Sequence, residues 1–162
     1  QGFEIVESVF GPKHRYAALA RRAVGERLRA MGRTDEAVEA LKEAIAIGEA
    51  TVGAQHRETL ESRAVLALTL ALAGKPGARE EAKSVIEVVK ADATIGEAPL
   101  IPAQLALAAS SDATAEERIV ALELTRRVRG VPHPDVLRAL QLAGGSDAEV
   151  TAMKQSLQLF EP

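Results

Sequence analysis

Three histidines and a file of arginines are the residues whose types and spacing could do chemistry. The histidines close matching tetrads: Gly11-Pro12-Lys13-His14, Gly53-Ala54-Gln55-His56 and Gly130-Val131-Pro132-His133. Histidine is the commonest metal ligand, but zinc needs its ligands ~2.0–2.1 Å from one ion. Residues at equivalent points of stacked units are held apart, so these three read as junction residues and not as ligands. Arg15, Arg22 and Arg29 follow at seven-residue spacing, one face of a helix, and Glu26 and Arg33 share it. From Lys13 to Arg33 seven cations stand against the single anion Glu26. Residues 35–49 then carry five acidic residues against Lys42. Guanidinium holds carboxylate in a bidentate fork, so the stripe could grip an acidic segment or a chain-end carboxylate. It also reads as a solvated face in which Glu26 pairs with Arg22 or Arg29.

Other chemistry is missing from the pattern. The chain has no Cys, which excludes disulfides, thiol catalysis and cysteine-ligated zinc. There is no Gly-x-Ser-x-Gly elbow, P-loop or His-Glu-x-x-His. The Glu80-Glu81 and Glu116-Glu117 pairs fall near helix starts, where the helix dipole favours them. We therefore expect no enzyme activity, no catalytic residue, no metal and no cofactor. The net charge of −3 argues against a nucleic-acid partner. The longest apolar stretch, 64–73, is interrupted by Thr69 and falls short of the ~20 residues of a membrane span.

The elements that must carry these residues are helices. At 162 residues the chain can bury one real core, and with 2% aromatics Ala, Leu, Val and Ile must fill it. Apolar residues recur at helical spacing in pairs of segments separated by Gly-containing links. The first pair covers about 15–31, with Tyr16, Ala20, Ala23, Val24, Leu28 and Met31 as its stripe, and about 35–52, with Ala37, Leu41, Ala44, Ile45 and Gly48. Thr34 and Asp35 are positioned to cap the second helix. The next pair covers about 57–73 and 78–92, the latter turning Ala78, Ala82, Val85, Ile86 and Val89 inward. A short helix at about 100–109 follows, with Pro102 inside its first turn or breaking it. Thr114 to Glu117 and Ser146 to Glu149 have capping-box spacing, opening helices to about 129 and through Val150, Met153 and Leu157. Between them lies a helix at about 135–143.

The units repeat. At an offset of 42 residues Ile5 matches Ile47, Glu7 matches Glu49, Gly11 matches Gly53 and His14 matches His56. Such self-similarity marks a stacked helical array. We expect one all-α solenoid of antiparallel hairpins over 1–162. Residues 1–10 would end a repeat whose first helix is missing. Repeats would follow at 11–53 and 54–94, with a degenerate one at 95–129 and a short C-terminal hairpin at 130–162. On this reading the chain is part of a longer protein, and apolar Phe3, Val6 and Phe10 lack part of their cover, which favours self-association through that end.

The run from Gly32 through Ala44, with Gly25, Ala37 and Ala44 small and Val24, Leu28 and Leu41 large, resembles the tetratricopeptide repeat. The Gly-x-x-His junction and the 42-residue period are similar to the long variety in kinesin light chains. The chain departs from the family's pattern at Arg21, where Trp is frequent, and at Thr34, where Tyr is. The resemblance implies a right-handed superhelix that holds proteins or peptides, with the first helix of each hairpin lining the groove. It places Arg15, Arg22, Glu26, Arg29 and Arg33 there for an acidic or C-terminal peptide, with Leu68 as an apolar neighbour. Members that clamp two carboxylates use Asn, and this chain has none. A bacterial, cytoplasmic signalling or regulatory protein is the expected context. The alternatives are a structural or oligomerising segment and a solenoid that senses a small ligand.

Overall fold

The computed structural model describes residue 5 and residues 8–129 and 134–158. Among them there is no strand. Residues 8–10 are helical, and Gly11 turns the chain into α1 (Arg15–Ala30). Then come α2 (Thr34–Thr51), α3 (Arg57–Leu72), α4 (Ala78–Ala91), a 3-10 turn at Ala93–Ile95, and α5 (Leu100–Ala109). The last helices are α6 (Ala115–Arg129), α7 (Pro134–Leu142) and α8 (Asp147–Gln158). Each helix packs on the next, α3 also packs on α1 and α5, and α5 on α7. This is an α-solenoid of stacked hairpins in which α1, α3, α5 and α7 form one layer.

The caps explain where the helices begin. His14 Nδ1 accepts the Tyr16 N–H at 3.2 Å, and His56 Nδ1 accepts the Glu58 N–H at 3.3 Å. Each satisfies one of the donors that a helix start leaves without an intrahelical partner. Both expected capping boxes form. Thr114 Oγ1 accepts the Glu117 N–H at 3.2 Å while Glu117 Oε2 accepts the Thr114 N–H at 2.9 Å. Ser146 and Glu149 reciprocate at 3.0 and 3.3 Å. The expected cap of α2 does not form. Arg33 is its N-cap, and its side chain makes no capping bond. Asp35 is instead drawn into an ion pair with Lys75 of the next hairpin's turn. Pro102 is the third residue of α5, in the first turn, where its missing N–H costs nothing.

The core lies between the two layers. Ile101 and Ala103 to Ala108 make α5 buried nearly all round, and Leu60, Ala64, Ala67, Leu68 and Ala71 of α3 pack into the same cluster. In α4 the stripe Ala78, Ala82, Val85, Ile86 and Val89 is buried, and in α2 so are Ala37, Leu41, Ala44 and Gly48. Met153 of α8 is buried, Val150 is half-buried, and the expected place of Leu157 lies outside the described side chains. In α1 the expected stripe is displaced. Tyr16 and Met31 are exposed at 44% and 67%, while Ala17, Ala18 and Gly25 are buried. The reason is close approach. A Cβ on Gly25 would sit 2.7 Å from Leu41 Cγ, and one on Gly48 would sit 2.7 Å from Thr59 Oγ1. The helices meet on their small residues, which turns the larger ones to the sides. Of the apolar residues expected to lack cover, Phe10 is exposed, and so are its neighbours Ile5 and Val9. Phe3 and Val6 lie outside the described residues, as does His133.

Two expectations follow. Gly25→Leu should lower the urea unfolding free energy by ~1–3 kcal/mol through overpacking against Leu41, and an unchanged midpoint would show that α1 and α2 do not meet there. The second concerns pH. Burial pushes the Glu117 carboxyl up, but the Thr114 backbone N–H and the Arg79 guanidinium outweigh it and hold the group below the usual glutamate range. The Ser146 backbone N–H and hydroxyl lower Glu149 likewise. Folded values below unfolded ones stabilise fully above the unfolded value, and that contribution is lost as pH falls through the folded value. Thermal stability should therefore fall below about pH 4, and Glu117→Gln should flatten that acid limb.

Candidate functional site

The face made by α1, α3 and α7 carries most of the cations expected at a groove. Arg22 and Arg29 stand two turns apart on α1, and Val65 and Leu72 stand two turns apart on α3. The inner layer curls far enough that Asp135 and Arg138 of α7 reach the cavity lined by Arg29.

The first half of this face is internally neutralised. Arg15 pairs with Glu58 at 2.5 Å. Arg22 pairs with Glu61, which also takes Arg57 at 2.9 Å, and lies 3.7 Å from Glu26. The Arg22 and Glu61 side chains are only 20% and 17% exposed, so this pair is shielded from bulk water. A smaller cavity of about 270 Å³ opens beside it, and Pro102 and Arg129 contribute to its wall. The pairing of Glu26 with Arg22 is present, but Arg22 also bridges to Glu61 in a partly shielded pair, so this part of the stripe is not simply a solvated face.

The second half differs. Arg29, Ala30, Thr69, Leu72, Asp135 and Arg138 are among the residues lining a cavity of about 430 Å³. Burial depresses the Arg29 guanidinium, and the positive charge of Arg138 adds to this, against Glu26 and Asp135. Arginine stays charged even so. The Thr69 hydroxyl donates to the Val65 carbonyl at 2.8 Å and is not offered to the cavity.

Two expected groove residues sit elsewhere. Leu68 is 3% exposed and belongs to the core, because both faces of α3 are covered by neighbouring helices. Leu72, one turn on and 41% exposed, holds the apolar surface position. Arg33 lies at the α1–α2 turn, where hydrogen bonding to Glu36, at 2.7 and 2.5 Å, raises its guanidinium. Arg138 and Asp135 were not singled out from sequence. No spacing links residue 138 to residue 29, and only the curl of the stack brings them together. Among the described residues no group of three or more His, Asp or Glu is arranged to hold a metal. No described helix is long and apolar enough to cross a membrane.

The tetratricopeptide repeat family model matches residues 1–50, which takes in α1 and nearly all of α2. Together with the hairpin stack, this supports a tetratricopeptide repeat in that segment. No curated protein matches the chain.

The shielded Arg22–Glu61 pair links α1 to α3 and should couple their stabilities. A double-mutant cycle of Arg22→Ala and Glu61→Ala in urea should give a coupling of about 1 kcal/mol. Additive losses would mean that the two side chains do not share a bond in solution.

Proposed function

We propose that the chain is a protein-interaction module whose inner face binds an acidic or C-terminal peptide. The observation that carries this reading is charge. Arg22, Arg29, Arg57, Arg129 and Arg138 open onto that face against Glu26, Glu61 and Asp135, in a chain of net charge −3. A positive face on an acidic protein is a surface for acidic ligands. The tetratricopeptide match to residues 1–50 supports a binding role, since that family commonly holds proteins or peptides. The 42-residue period and the histidine caps favour the long variety seen in kinesin light chains. The repeat division at 11–53, 54–94, 95–129 and 130–162 belongs to this reading, as does a regulatory role in the bacterial cytoplasm.

Arg22 already has Glu61, so a ligand gains less from it than from Arg29. A peptide-array screen should return acidic or carboxyl-terminal sequences. Arg29→Glu should abolish binding, and Arg22→Glu should weaken it less. Affinity should fall as salt rises, because exposed charges are screened over ~8 Å at physiological ionic strength. Neutral or basic best ligands, or two variants that bind like the parent, would sink the assignment.

A further inference from the structure

Two cations of the inner face line a single cavity with Asp135, and neither of the two is held in an ion pair among the described residues; Glu26 and Asp135 only partly offset the charge of Arg29. Arg29 comes from α1 and Arg138 from α7, and the cavity between them is about 430 Å³. The carboxylates nearest to them are engaged by other arginines. Asp135 is 3.5 Å from Arg129, and Glu26 is 3.7 Å from Arg22. Arg29 Nε is buried with no hydrogen-bond partner among the described residues. A buried charged donor without an acceptor is costly, and a second guanidinium facing the same space adds repulsion. One oxyanion between the two would satisfy both. The remaining wall includes Ala30, Leu72 and Ala73, which are apolar.

We propose that the cavity between α1, α3 and α7 is a carboxylate-binding site. Arg29 and Arg138 share one carboxylate there, and Ala30, Leu72 and Ala73 pack against a short aliphatic group beside it. The proposal rests on the inner face being a ligand groove, and it narrows that reading to one subsite and one ligand chemistry. A run of acidic side chains suits the cavity poorly, since Asp135 lines it and Glu26 lies near Arg29. A single carboxylate next to an aliphatic branch fits better. A peptide C-terminus and a small branched carboxylic acid both present that chemistry.

The test uses the whole chain. Its first probe is sodium isobutyrate, titrated at constant ionic strength against chloride, with the arginine side-chain N–H resonances followed by NMR. Its second is a random octapeptide library with free C-termini, set against the same library amidated. Isobutyrate should move the Arg29 and Arg138 resonances and leave Arg33 unmoved. The free-acid library should be retained over the amidated one by about tenfold, the size of one charge-assisted hydrogen bond. Arg29→Gln and Arg138→Gln should each remove that preference without lowering the thermal midpoint, because each relieves repulsion; Arg33→Gln should keep it. Isobutyrate shifts without library retention support the site and assign it to a small carboxylic acid. Equal retention of both libraries with unmoved arginine resonances overturns the carboxylate site but leaves the groove reading standing. Retention of neither library with unmoved resonances overturns both.

Discussion

Everything in this fold depends on how closely its helices can approach. With 2% aromatic residues, the core has few large side chains to span wide gaps. It is filled by Ala, Leu, Val and Ile at short interhelical distances. Gly25 lets Leu41 into the side of α1, and Gly48 lets Thr59 against α2. A glycine inside a helix costs ~1 kcal/mol relative to alanine, and contact across the interface offsets this. Once α1, α2 and α3 are drawn together on their small residues, the direction of the stack is set. Every later hairpin builds on it, because each unit buries its face only against its neighbours.

Charge follows from that spacing. The ion pairs that join one hairpin to the next share a sequence separation of about one repeat. Arg15 reaches Glu58 across 43 residues, Lys75 reaches Asp35 across 40, and Arg79 reaches Glu117 across 38. Arg22 and Glu61 belong to the same set. Surface pairs of this kind are worth ~0–1 kcal/mol each, so packing remains the main source of cohesion. Their effect on the inner face is larger than their energy. They tie down Arg15 and Arg22 within the scaffold, whereas Arg29 and Arg138, which line the cavity of about 430 Å³, are in no ion pair among the described residues.

Much of the helical frame was legible because its signals are local. Gly-x-x-His before α1 and α3, the Thr114–Glu117 and Ser146–Glu149 boxes, and glycines at the turns act within a few residues of themselves. The α4 stripe was legible for the same reason, since one periodic pattern decides it. The α1 stripe was not. Tyr16 and Met31 fit the helical period, but the period cannot tell which side of a helix its partner will meet. The cap of α2 failed similarly: Asp35 has the chemistry of a cap, and Lys75 in another hairpin took it.

The candidate site divides along this line. The arginine file on α1 is a property of the sequence, because seven residues nearly complete two turns. So is the absence of thiol chemistry, which composition alone decides. Tertiary structure decided which arginines are already paired, that Leu68 is core while Leu72 reaches the surface, and that Arg138 stands across a cavity from Arg29. Those outcomes depend on the curl accumulated over successive hairpins. Curl sums small helix-to-helix angles that no local spacing records, so residues 109 positions apart meet only once the whole stack is built.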